Sequence, residues 1–141
     1  MRVDFYILGD ANEERRLHYV CRLTDKAWRL GHTVWIHVPS GAHADTLDAR
    51  LWTFDPDGFL PHERNEDGDL SDCPVIIGTT IPATSAPDLL INEQGNIVDD
   101  GCRATRIAEV VNQSPAIRDA GRSRYARYRD AGCELHHHRV D

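Results

Sequence analysis

The chain of 141 residues lacks any apolar run approaching the roughly 18 residues of a membrane span. Its N-terminus, MRVDFYILGD, lacks a basic stretch followed by an apolar segment and a cleavage site, so a cytosolic protein is expected. Cysteine is sparse and scattered. Cys21, Cys73, Cys102 and Cys133 form no C-x-x-C pair, which argues against a zinc ribbon and predicts free thiols, with Cys21 in the core. The first strand-to-helix turn, Leu8-Gly9-Asp10-Ala11-Asn12-Glu13, has one glycine where a dinucleotide fingerprint needs three, and no Lys-Ser/Thr pair for a phosphate loop. Glu13 and Glu14 would repel a phosphate at that helix start. There is no G-x-S-x-G elbow and no H-E-x-x-H pair, so no enzyme active site and no cofactor are expected. Positive charge is short as well: the formal net charge is −7. No repeat or low-complexity tract is visible, and the length suits one domain spanning residues 1–141.

What is present is an alternation of strand and helix. Residues 3–8, Val-Asp-Phe-Tyr-Ile-Leu, have the β-branched and aromatic content of a strand buried on both faces. A helix follows to about Leu30, with Leu17, Val20, Cys21, Ala27 and Trp28 on its apolar stripe, and Gly31-His32 ends it. Residues 33–38 form the next strand, and a second helix from about Ala42 to Trp52 turns Ala44, Leu47 and Leu51 inward. Residues 63–72 read as a polar, acidic loop. Further strands are predicted at 74–78 and 88–92. The β-branched run Arg106-Ile107-Ala108-Glu109-Val110-Val111 is predicted to be strand rather than helix. Ser114 and Pro115 start a last helix, with Ser114 as candidate cap, and Gly132 stops it. The expected fold is a three-layer α/β/α, Rossmann-like sheet, mostly parallel or mixed, with at least five strands and no nucleotide-binding fingerprint.

Charge is unevenly placed. Residues 115–141 hold six Arg against four acidic residues, while the rest of the chain holds ten basic and nineteen acidic. On a helix, Arg118, Arg122, Tyr125 and Arg129 fall at i, i+4, i+7 and i+11 and share one face. Such a face is often merely solvated, but guanidinium groups also pair with carboxylates or phosphates through two donors at once. The overall acidity weighs against phosphate, because nucleic-acid binding draws on a broad basic footprint. An acidic peptide with a free C-terminal carboxylate suits the stripe.

A second feature is the connection at residues 53–62, Thr-Phe-Asp-Pro-Asp-Gly-Phe-Leu-Pro-His, where two aromatics and a leucine sit in a Pro/Gly-punctuated loop after Trp52. These groups pack beneath the core or meet a partner. At the strand ends only Asp10, Ser40 and His43 stand as candidates for a small-molecule site. His136-His137-His138 offers opportunistic metal binding at most.

Several segments together resemble one family. Asp4-Phe5-Tyr6, Lys26-Ala27-Trp28 with Gly31-His32, Leu47-Asp48-x2-Leu51-Trp52-Thr53-Phe54 leading into Phe59-Leu60-Pro61-His62, and Leu89-Leu90-Ile91-Asn92 occur in order. They are followed by the run at 106–111 and by Gly121-Arg122-x-Arg124-Tyr125-x2-Tyr128-Arg129-x-Ala131-Gly132. This ordered set is similar to the chi subunits of bacterial DNA polymerase III. The resemblance implies a non-enzymatic clamp-loader accessory that binds the acidic C-terminal tail of single-stranded DNA-binding protein and the psi subunit, or a related helicase in some bacteria. Arg122 matches the family's tail-binding arginine, Arg118 lies where a further basic residue contributes, and Tyr125 is added on helical geometry. Trp52 and Phe59, with Leu60 beside them, match the positions that engage psi. Residues 93–104 are more polar than the corresponding family segment, and the terminal HHHRVD has no counterpart in the family pattern. The alternative function is a direct single-stranded nucleic-acid binder, or a helicase-associated repair adaptor, with Tyr125, Tyr128 and Trp52 as stacking platforms.

Overall fold

The computed structural model describes residues 1–65, 72–81, 85–98 and 102–140. Ten elements follow one another: β1 (Arg2–Leu8), α1 (Glu13–Arg29), β2 (Val34–His37), α2 (Gly41–Thr53), β3 (Glu63–Asn65), β4 (Val75–Gly78), β5 (Leu89–Asn92), β6 (Arg106–Val111), α3 (Pro115–Asp130) and β7 (Glu134–Val140). The strands form one seven-stranded sheet in the order β3-β4-β2-β5-β6-β1-β7. Every pairing is parallel, so a mixed sheet does not arise.

Strand alternation divides the core into two layers. Tyr6, Leu8, Val34, Ile36, Val75, Ile77 and Ile91 face α1 and α2, meeting Leu17, Val20, Cys21, Leu47 and Leu51. Val3, Phe5, Trp35, Ile76, Leu90 and Ile107 face the other way, toward Tyr128 of α3. The result is the expected three layers. The starts of α1 and α2 are capped by side chains, Asn12 accepting from the Arg15 amide at 3.2 Å and Ser40 from the His43 amide at 3.2 Å. Gly31 and Gly132, at φ of 84° and 82°, end α1 and α3 in the left-handed conformation that glycine adopts freely.

Four expectations need correction. Ser114 occupies the N-cap of α3, but its side chain makes no capping bond; the Asn112 side chain instead accepts the Ser114 amide at 3.0 Å. Residues 63–65, expected to be loop, form edge strand β3 because β4 offers them a free edge; 66–71 lie outside the described residues. Leu60 is 4% exposed and belongs to the core rather than to a presented surface. The C-terminal HHHRVD is mostly strand: β7 pairs with β1 along its length, from Arg2 opposite Glu134 to Leu8 opposite Val140.

Candidate docking surfaces

Helix α3 seats itself with an unusual inward stripe. Ile117, Gly121, Arg124 and Tyr128 recur at i, i+4, i+7 and i+11, and only two of the four are large hydrophobics. Gly121 lets the helix approach β6, since a Cβ there would lie 2.8 Å from Val111 Cγ1. Tyr128 is buried, and its hydroxyl accepts the Val98 amide at 3.1 Å. Arg124 turns inward and donates from Nε to Glu109 Oε2 at 3.0 Å, so it is not part of the outer cationic face. Burial pushes the Glu109 carboxyl up to about 7, against the opposing pull of the Arg124 charge and the Asn92 hydrogen bond.

The outer stripe lies one residue further round the helix. Arg122 is exposed and has no side-chain ion pair among the described residues. Arg118 and Arg129 each reach only their neighbours, Asp119 and Asp130, at 3.3 Å. Such exposed pairs hold their charges loosely. Tyr125 shares this side but is half-buried, its ring edge-on to Phe5 with centroids 5.3 Å apart. It therefore forms an apolar floor beside the arginines rather than a free stacking ring. Tyr128, expected as a second platform for bases, is sealed in the core.

Strand β7 completes this surface. Leu135 packs in the α3-side layer, so His137 and Arg139, two and four residues on, point to the same side, and both are exposed. They lie opposite Phe5 and Ile7 of β1. Since α3 runs back against the strands, Ile7, about 7 Å beyond Phe5, is level with the helix turn around Gly121 and Arg122. Arg139 thus lies on the side of the sheet that carries α3, next to the half-buried Ile7 across the strand pair. The sequence pattern hid Arg139 and His137, because a run of polar residues carries little strand signal.

The second surface lies at the end of α2. Asp55 tightens the following turn, accepting the Asp57 amide on its side chain at 3.1 Å and the Gly58 amide on its carbonyl at 3.1 Å. Phe59 emerges from this turn 68% exposed and stands 5.9 Å from the ring of Trp52, itself 52% exposed. Phe54 and Leu60, in the same segment, pack against the core. Of the apolar groups in this segment, Phe54 and Leu60 thus pack with the core while Trp52 and Phe59 stay exposed. His62 lies beneath, its ring centroid 4.5 Å from that of Trp52.

The third region is the crevice at the strand C-termini where α/β folds commonly take ligands. Here the chain's own side chains fill it. Arg16 is buried and bonds Glu93 at 2.7 Å, Glu13 at 2.6 Å and the Val110 carbonyl at 3.2 Å. Burial alone would raise Glu93, but the hydrogen bond from His43 and the charge of Arg16 together hold it below the usual carboxylate range. Of the three candidates at this end, His43 contacts Glu93 at 3.3 Å, Ser40 caps α2, and Asp10 pairs with Arg15 at 2.8 Å. All three are committed to the fold. The three successive histidines alternate across β7, with His138 bonded to Asp4 at 2.9 Å, and no group of three or more metal-binding side chains occurs among the described residues. No helix among those residues is long and apolar enough to cross a membrane.

Comparison with known proteins locates this arrangement. The family model described as "DNA polymerase III chi subunit, HolC" matches residues 1–136. A protein of Pseudomonas aeruginosa is 39% identical over 139 residues, covering 99% of this chain and 96% of its own length. One of Haemophilus influenzae is 33% identical over 132 residues, 93% of this chain and 92% of its own, and one of Escherichia coli is 29% identical over 117 residues, 82% and 80%. All three are named DNA polymerase III subunit chi. With the match running unbroken from β1 into β7, the chain belongs to the family of DNA polymerase III chi subunits.

Proposed function

We propose that this chain acts as a single-domain, non-enzymatic accessory subunit of the polymerase III clamp-loader assembly in the cytoplasm. In this reading it holds the acidic C-terminal tail of single-stranded DNA-binding protein on the α3 surface. Through Trp52 and Phe59 it holds the psi subunit, or a related helicase, so linking the replisome to coated lagging-strand DNA. The observation that carries the tail-binding half is the exposed Arg122 and the part-exposed Arg118 on the helix face they share with the half-buried Tyr125. A peptide ending in a carboxylate next to an apolar side chain needs those two features together: forked donors for the anion and an apolar floor for the side chain. The psi-binding half is supported by two large rings, each more than half exposed, that stand together 5.9 Å apart. Direct binding of bases is less favoured, because Tyr128 is sealed in the core and the net charge is −7.

Calorimetric titration with a peptide of the host tail, beside the same peptide lacking its last residue, tests the first half. Binding that disappears on truncation supports the tail-receptor role. Equal binding of both peptides, or none of either, removes it and leaves the Trp52/Phe59 surface and nucleic acid to be tested in turn.

A further inference from the structure

Two neighbouring pieces of the sequence pattern, Leu47-Asp48-x2-Leu51-Trp52 and Phe59-Leu60-Pro61-His62, meet through one imidazole. The His62 side chain is fully buried, at 0% exposure, although it lies directly under the exposed Trp52. Its Nδ1 is 2.8 Å from the Leu60 carbonyl, an acceptor only, so that nitrogen carries a proton and donates it. Its Nε2 is 3.1 Å from Asp48 Oδ1 and makes no hydrogen bond. Asp48 sits one helical turn before Trp52 on α2. The imidazole is thus tied at one edge to the loop that carries Phe59, is seated at the other beside the helix that carries Trp52, and lies against the indole with ring planes 55° apart.

A fully buried histidine in a surface segment calls for an explanation, since burying a polar ring is costly unless its polar atoms find partners. A purely structural tie between α2 and the loop needs only the Asp48 and Leu60 contacts. The close approach of the ring to Trp52 adds something else: it limits the rotamers of an indole that water would otherwise leave free. Holding an exposed aromatic in one orientation removes ordering entropy from the binding step.

From this we infer that His62, fixed by its bond to the Leu60 carbonyl and seated between Asp48 and the indole, is a positioning residue that presets Trp52 beside Phe59 for the docking partner. The inference rests on the reading of Trp52 and Phe59 as a docking surface, and the experiment separates the two. The full chain is prepared as wild type, His62→Ala, His62→Asn, Asp48→Asn and Phe59→Ala. Each is titrated with the host psi subunit and with the tail peptide, and the indole N–H resonance of Trp52 is followed by NMR. Asn keeps a donor toward Leu60 but has no ring to lay against the indole. His62→Ala and His62→Asn are both expected to weaken psi binding about tenfold and to shift and broaden the Trp52 indole signal, with tail affinity unchanged. Asp48→Asn is expected to give a smaller loss in the same direction.

Full psi affinity in His62→Asn would show that the loop bond alone matters, and the inference would fall. An unmoved Trp52 signal in His62→Ala would overturn it equally. If Phe59→Ala leaves psi binding unchanged, the docking reading fails instead, and the indole signal alone then decides whether His62 positions Trp52. Should His62→Ala lose tail binding too, it has damaged the fold, and the His62→Asn and Asp48→Asn results carry the decision.

Discussion

The surface on α3 and β7 and the surface at the end of α2 solve opposite problems. On α3 the charged groups are outside and the ring is half inside: Arg118 and Arg122 stand over Tyr125, which leans on Phe5. At the end of α2 the rings are outside and a polar side chain is inside: Trp52 and Phe59 stand in water over His62, whose Nε2 lies 3.1 Å from Asp48. The two segments differ in sign as well, since residues 53–65 carry three acidic residues and one Arg, whereas residues 115–141 carry an excess of Arg. A small acidic chain can therefore present two faces that do not compete for the same partner. An anionic segment is drawn to one and repelled from the other.

The largest change comes from undoing the seat of α3. Tyr128→Ala empties a buried site and removes the acceptor of the Val98 amide, and about 3–5 kcal/mol of stability is expected to be lost in chemical denaturation. Both surfaces then weaken together, which marks a fold effect rather than a site effect.

Glu109 gives a pH test of the same seat. Its folded-state value of about 7 lies above the 4.5 of the unfolded chain. Between those values the folded protein holds a proton that the unfolded chain has released, so stability falls as pH rises through that window. Wild type is expected to lose stability relative to Glu109→Gln between pH 4.5 and 7, by up to about 3 kcal/mol. A difference between the two proteins that stays flat across that range would show that Glu109 is ionised throughout. Glu93 and Asp4 have the opposite sign: their values are held low, so what they contribute is lost only in more acid solution.

Site variants sharpen the contrast next. Trp52→Ala is expected to weaken psi binding by about 2 kcal/mol or more while sparing the tail peptide. Arg122→Ala is expected to do the reverse, weakening the tail peptide by about 1–3 kcal/mol with little change in melting temperature. If either variant moves both affinities by similar amounts, the two surfaces are not independent. The smallest expected effect is that of Arg139→Ala, a partial loss of tail affinity that vanishes in high salt, as befits a charge at the rim.

Much of this was legible from residues alone. The buried strands announce themselves because β-branched runs bounded by Gly, Pro and Asp have few other uses, and α1 because its apolar residues keep helical period. The arginine stripe and the aromatic pair were legible as residues, but not which members face outward. Arg124 counts with its neighbours in any tally of charge, yet it is the partner of a buried carboxylate on another element. Leu60 and Phe59 are adjacent and similarly apolar, and only the turn at Asp55 to Gly58 decides that one is core and the other surface. Strand β7 escaped notice because an edge strand needs backbone partners more than β-forming side chains, and its three histidines gave no hydrophobic pattern.

The local periods, the sheet class and the family thus follow from the order of the amino acids, because they depend on neighbours within a few residues or on motifs read along the chain. The inward turn of Arg124, the filling of the strand-end crevice by Arg16 and Glu93, and the junction of Asp48 with His62 were decided by the tertiary structure. Each depends on polar side chains from different parts of the fold being brought together. The cost of burying such a group is met only where folding brings the two together.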